Sequence, residues 1–362
     1  MAKLRHFGSY AKKLFKNKYF LLIASVLVVV GGVLIYLAFT APKELPVQKI
    51  IHLTTTTTKD NRVQSKLEGI KVDPSVNDRK ILAVVVENHP DARPQSGLDK
   101  ASIVYETIAE GGITRFLALY QENESSEIGP VRSVRTYFLD WATEYDALLA
   151  HVGGNVDALD LIGPYNIQDI NQFFNATYFW RDNSRYAPHN VYTTTSKLRD
   201  AGLAHHYPST SNFKGLDFKS DAPLAERPDS ATLTVHFSGM EYDPVYTYDR
   251  NSNTWLRSLA GAPFKDKVTG IQLAPKNVVV EFTTFSYGLT RYNEATTHIG
   301  TIGSGRALFY IDGKQIEGTW EKADRASQTV FKDANGAEFK FNPGQTWIDV
   351  IPNGNTVDFV NR

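Results

Sequence analysis

Tyr19 to Phe39 is a run of 21 residues without a single charge. As a helix, a run of that length crosses the hydrocarbon core of a bilayer while satisfying its own backbone hydrogen bonds. Nothing else in the chain restricts its organisation as much. Ahead of it, residues 1–18 carry Lys3, Arg5, Lys12, Lys13, Lys16 and Lys18 and no acid. Such a flank stays in the cytoplasm, so residues 40–362 are expected outside the membrane. A cleaved signal peptide would have a shorter apolar stretch and small residues at a cleavage site, and Ala38-Phe39-Thr40-Ala41 makes a poor one. The reading is therefore a single-pass membrane protein with residues 1–18 cytoplasmic and 19–39 as the transmembrane helix.

The exported part contains no cysteine, which excludes disulfides, thiol nucleophiles, thiolate metal ligands and a lipidated cysteine. Lys plus Arg and Asp plus Glu balance at 39 each, so no bulk field points to nucleic acid. Residues 40–80, with Pro42, Pro46 and the run Thr54–Thr58, lack apolar periodicity and read as a disordered tether spanning roughly 35 Å.

Beyond the tether the expected fold class is α+β. Residues 81–220 read as a mixed α/β domain and residues 231–362 as an antiparallel β domain, with a Ser-, Asp-, Pro- and Lys-rich connector around 208–230. Ile81–Val86 is a continuous apolar, β-branched run and reads as a buried strand. Ser102–Ile108 and Arg115–Tyr120 follow as strands turned at Gly111-Gly112. Pro130 can open a helix, and Val156–Ile162 and Thr195–Ala204 are short helices. In the second half, Leu233–Phe237, Val245–Tyr248, Thr254–Arg257, Val278–Phe282 and Ala307–Ile311 read as strands, with Asp312-Gly313 as a hairpin turn.

The polar residues cluster between Ala92 and Asn190. Residues 81–200 hold seven arginines and two lysines, whereas residues 231–362 hold six and seven. Arginine's planar fork grips carboxylate or phosphate through two bonds, which lysine cannot do. Arg93, Arg115, Arg132 and Arg135 adjoin glycine turns and are expected to gather in one cleft around an anion. Arg181, His189, Asn190, Gly111, Gly112, Gly153 and Gly154 complete the candidate binding set, the glycines allowing close backbone approach. The competing reading is that these arginines form structural ion pairs with Glu106, Glu110, Asp140 and Asp182.

Catalytic candidates are Glu106, Glu110, His151 and Asp182. Glu106 and Glu110 on one strand would stand roughly 13–14 Å apart, too far for a pair flanking a sugar bond, so an enzyme would join one of them to an acid from another element. No H-E-x-x-H cluster and no G-x-S-x-G elbow occurs, so no metal and no cofactor is expected. The aromatic loop Phe173–Asp182 could stack on sugar rings or simply be core.

Several stretches together resemble the YerB-type putative lipoprotein family of Gram-positive and related bacteria, whose function is unassigned. They are Ala92-Arg93-Pro94-Gln95-Ser96-Gly97-Leu98, Glu110–Phe116, Gly129–Arg135, His151–Gly154, Ala187-Pro188-His189-Asn190, Gly318-Thr319-Trp320 and Pro343–Ile348. The resemblance implies an exported location and a two-domain layout and brings no activity. The chain departs from it in having a membrane helix in place of a lipidated cysteine. It also has Phe264 where the family's Gly-x-Pro-His-x-Asp places a histidine. The two functional readings are an envelope protein that binds a cell-envelope glycan or anionic polymer (wall polymer, lipid-linked precursor or peptidoglycan), and an envelope-glycan hydrolase using Glu or Asp with a histidine.

Overall fold

The expected strand Ile81–Val86 is observed as β1 (Leu82–Glu87), buried at every position. Its odd and even residues enter different cores. Ala83 and Val85 pack with Tyr137, Trp141 and Ile103, while Leu82, Val84 and Val86 pack with Leu198, Ala201 and Phe116. A strand covered on both faces needs apolar residues throughout, which is why it shows no alternation.

The structure, a computed structural model, describes residues 18–40 and 60–362. Residues 1–17 and 41–59, the basic segment and the first part of the expected tether, lie outside the described residues. Helix α1 (Lys18–Thr40) is one unit, long and apolar enough to cross a membrane. The other unit is residues 60–362.

Residues 60–80, expected in the tether, are folded: Leu67 is fully buried, and the carbonyls of Lys66 and Glu68 accept from the backbone N–H groups of Leu216 and Gly344. These partners lie about 150 to 280 residues downstream in the sequence, so local apolar periodicity gives no sign of them.

The frame is one ten-stranded mixed sheet. In chain order its strands are β1, β2 (Ile103–Ile108), β3 (Thr114–Tyr120), β4 (Leu148–His151) and β5 (Gln168–Asn171). A second, five-stranded sheet contributes β6 (Ala231–Val235), β7 (Val245–Asp249), β8 (Thr254–Leu259) and β9 (Ala262–Pro263). The large sheet then resumes with β10 (Asn277–Thr283). A separate hairpin, β11 (Phe285–Leu289) and β12 (Ala295–Ile299), follows. The large sheet continues through β13 (Gly303–Ile311), β14 (Lys314–Lys322), β15 (Val330–Asp333) and β16 (Thr346–Pro352), and β17 (Val357–Asn361) returns to the second sheet. The large sheet is ordered β15-β14-β13-β10-β16-β2-β3-β1-β4-β5, and the second β9-β8-β7-β6-β17.

The two halves expected as separate domains are thus joined by a shared sheet. β16 lies parallel between β10 and β2, with Trp347 opposite Val278 on one side and Val104 on the other. Residues 231–362 are accordingly antiparallel except at β10–β16. Helices α2 (Thr136–Glu144) and α3 (Val156–Ile162) cover one face of the sheet. Helix α4 (Thr195–Ala204) packs on the other face near β1. The five-stranded sheet shares a core with β10 and β13 through Leu233, Tyr246, Val278 and Tyr310. Asp312 and Gly313 both adopt positive φ, as the tight turn from β13 to β14 requires.

Pro130 does not open a helix. The segment 129–134 runs extended beside the end of β1, with Glu87 donating its backbone N–H to Pro130 and Arg132 donating to Val85. Helix α2 starts only at Thr136. That extended segment carries Arg132, and Arg135 just after it, to the end of β1.

Candidate functional site

Glu87, the last residue of β1, pairs in register with Arg115 on β3. The 129–134 segment crosses beside them, and Val134 takes a backbone hydrogen bond from its N–H to the carbonyl of Gly153, just past β4. The carboxyl ends of the parallel neighbours β1 and β4 therefore meet the start of β3 and the start of α2. Open α/β sheets place ligands outside such strand ends.

Three of the four expected arginines gather here. Arg135 grips Glu110 with both prongs, Nε to Oε1 at 2.7 Å and Nη2 to Oε2 at 2.6 Å. Burial alone would raise the Glu110 carboxyl, but the hydrogen bonds and charge of Arg135 outweigh it and hold it below the usual range. Arg132 lies with Nε 3.0 Å from Glu87 Oε1.

Arg115 differs from both in having no carboxylate at ion-pair distance among the described residues, although Arg132 Nε likewise makes no hydrogen bond. It is 7% exposed, donates from Nη1 to the carbonyl of Ser133 at 3.0 Å, and keeps a buried Nε with no partner. No carboxylate among the described residues lies within ion-pair distance of it. Burial pushes its guanidinium down to about 10, and the like charges of Arg135 and Arg132 add to the effect. The phenol of Tyr137, in the first turn of α2, is also buried and unpartnered, and the Arg115 charge acts on it. Buried polar groups ordinarily have a hydrogen-bond partner, and here a guanidinium nitrogen and a neighbouring hydroxyl both lack one.

The fourth arginine does not join. Arg93 pairs with Glu241 at 2.6 Å and lies over the Tyr242 ring, because the loop after β6 brings those residues to it. Arg181 and Asn190 bond each other at 2.8 Å and close their own loop. Gly111 and Gly112 both have positive φ at the turn between β2 and β3. At Gly153, also at positive φ, an added Cβ would meet the Phe173 ring at 2.6 Å, and at Gly154 it would meet Val134. These glycines shape the rim.

The four catalytic candidates share no cleft. Glu106 is fully buried and ion-paired to Arg257, itself fully buried from β8. It accepts from Thr114 Oγ1 at 2.7 Å and Asn88 Nδ2 at 3.2 Å. It therefore reaches no substrate, since the second sheet covers it. His151 is buried between the Gly153 carbonyl and Asp169. Asp182 bonds Lys267 at 2.9 Å, which with Ser184 holds its carboxyl well below the usual range. Glu110 alone lies in the cleft, committed to Arg135.

His189 does reach the cleft. Its Nδ1 lies 3.0 Å from Glu87 Oε2, and its ring stacks on His89 at 4.7 Å with 20° between planes. Atoms of His89, Asp91 and His189 that could ligate a metal all lie within 4.8 Å of one another. Sequence reasoning missed this grouping and missed Tyr137 as a site residue. Asp91 sits beside His89 in the chain, but His189 comes 100 residues later, so no motif spacing reveals them.

Residues 67–208 match the family described as "Protein of unknown function (DUF3048) N-terminal domain", and residues 233–348 match its C-terminal domain. A protein of Bacillus subtilis (strain 168) described as "Putative lipoprotein YerB" is 32% identical over 293 residues, covering 80% of this chain and 87% of its own length. A crystal structure of YerB protein from Bacillus subtilis superposes with a TM-score of 0.74 at 29% identity, covering 82% of this chain and all of the solved one.

Proposed function

The chain belongs to the DUF3048 family, and on that premise we propose that it is a membrane-held protein of the cell envelope that binds an anionic envelope ligand at Arg115. Two facts support the location: the apolar helix α1 with its cationic flank, and a relative described as a lipoprotein. In this reading α1 is a retained single-pass anchor, and residues 40–362 lie outside the cytoplasm. The ligand is a phosphate-bearing wall polymer, a lipid-linked precursor or the peptide carboxylates of peptidoglycan.

The observation that carries the reading is the buried Arg115 guanidinium, which has an unpartnered Nε and no carboxylate within ion-pair distance among the described residues. A charge kept in such a place costs stability, so a function explains it better than the fold does. Binding is favoured over hydrolysis because the catalytic candidates point into separate environments.

The test is co-sedimentation of the full-length chain, in detergent, with purified sacculi before and after their phosphate polymers are stripped. Arg115→Lys keeps the charge but loses the fork, and its affinity should fall about tenfold or more. Unchanged sedimentation of the variant would overturn the assignment of the cleft.

A further inference from the structure

Beside the arginine cleft stands a group of side chains that anion binding does not use. His89 precedes the turn Pro90–Ala92, and its Nδ1 accepts the Asp91 backbone N–H at 3.2 Å. The Asp91 carboxylate lies 3.6 Å from the same ring nitrogen and is largely exposed. His189 arrives on a different loop, which is clamped in place. Arg185 donates to the carbonyls of Ala92 and Pro94, and Asn190 donates to those of Asp182 and Arg185.

We propose that His89, Asp91 and His189 form an open binding site for a divalent transition-metal ion of the zinc class. Three features carry this. First, one ligating atom from each residue falls within 4.8 Å of the others although two separate loops supply them. Second, Glu87 Oε2 faces His189 Nδ1 at 3.0 Å, and Glu87 is itself buried and held at its other oxygen by Arg132. A carboxylate on one imidazole nitrogen fixes the tautomer and leaves Nε2 as a lone pair, which is how metal-bound histidines are oriented. Third, the two rings lie against each other at 4.7 Å, so the fold already holds both histidines at one place.

Two imidazoles and one carboxylate suit zinc, manganese, iron, cobalt or nickel rather than calcium or magnesium. Bonds to such an ion run about 2.0–2.2 Å, so the ligands must draw together on binding, and His89 must release the Asp91 N–H that its Nδ1 lone pair now accepts. The exposed Asp91 side chain and the short turn carrying it allow that movement. Three protein ligands leave coordination positions open to water or to a ligand anion. Arg132 bridges this site to the arginine cleft through Glu87.

The experiment uses the full-length chain in detergent, stripped with chelator and then titrated with zinc(II) by calorimetry, with bound metal counted by elemental analysis. One ion per chain is expected. His89→Ala, His189→Ala and Asp91→Asn should each weaken binding at least tenfold, and Glu87→Gln should do so as a positioning residue, by about 10- to 100-fold. His236→Ala, which alters another surface histidine lying between Asp243 and Asp358, should change nothing. All these variants are checked for an unchanged unfolding transition, and Asp91→Asn, at the surface, decides the matter if a histidine variant misfolds. Binding that survives the His89→Ala/His189→Ala double change, or no binding at tens of micromolar zinc, would overturn the proposal. Chelator should leave phosphate binding at Arg115 intact, so the two readings fail independently.

Discussion

Replacing Arg115 with methionine should make the protein more stable and abolish its response to phosphate. Burial lowers the Arg115 guanidinium from its ordinary value to about 10. At about 1.4 kcal/mol per unit, holding that charge in the fold costs about 3 kcal/mol. Methionine removes the cost but gives up the bond to the Ser133 carbonyl, a loss of about 1–2 kcal/mol for an acceptor left unpaired. The net gain is about 1–2 kcal/mol, or a rise of a few degrees in Tm for a body of this size. Scanning calorimetry of the full-length chain in detergent, with and without inorganic phosphate, reads both effects. Wild type at 100 times its Kd should gain about 3 kcal/mol from the anion, and Arg115→Met should gain none. A variant that unfolds more easily than wild type and still responds to phosphate would refute the reasoning and make Arg115 a structural residue.

Glu281 is buried with Oε2 unpartnered, and burial, aided by the Glu144 charge, pushes it up to about 8. The folded state therefore keeps a proton that the unfolded chain releases near 4.5, so stability falls as pH rises from about 4.5 to 8. Glu281→Gln should remove a slope of up to about 1.4 kcal/mol per pH unit in that window, measured by denaturant unfolding between pH 5 and 8. Glu110, held below its usual range by Arg135, contributes stability that is present above its unfolded value and lost as pH falls through the lower folded one. Glu110→Gln should cost about 1–2 kcal/mol at neutral pH, abolish complementation of a deletion strain, and flatten the acid limb of the stability profile. Glu106→Ala should cost about 3–5 kcal/mol in chemical denaturation, because it strands the Arg257 charge in the interior.

How much of this could be read from sequence depends on where each partner lies. β1, β2 and β3 are buried at every position and largely apolar because both their faces are covered, and that pattern is local. β16 escaped because Asp349 interrupts it, and the groups facing that buried acid, Tyr246 and Arg257, come from the second sheet. The fold of residues 60–80 rests on contacts near residues 215 and 344, which no window can see. Glu106 and Glu110 looked alike in sequence, since both are acids at strand ends near glycines. Arg257, 151 residues away from Glu106, makes one of them interior, while Arg135 keeps the other at the cleft. Arginine content and glycine turns did locate Arg115, Arg132 and Arg135, because the fork chemistry belongs to the residue itself. Arg93 has the same chemistry but was taken by Glu241.

The position of β16 also bears on how such a chain is made. Synthesis adds residues 346–352 only after β2 and β10 are both made, yet they form the strand between the two. Until they arrive, β2 and β10 each present an open edge to any neighbouring chain. The first half is therefore an unfinished sheet, open to strand pairing with other chains, until β16 closes it. A stop placed before residue 346 would not trim the protein but leave its large sheet without the strand that joins β10 to β2.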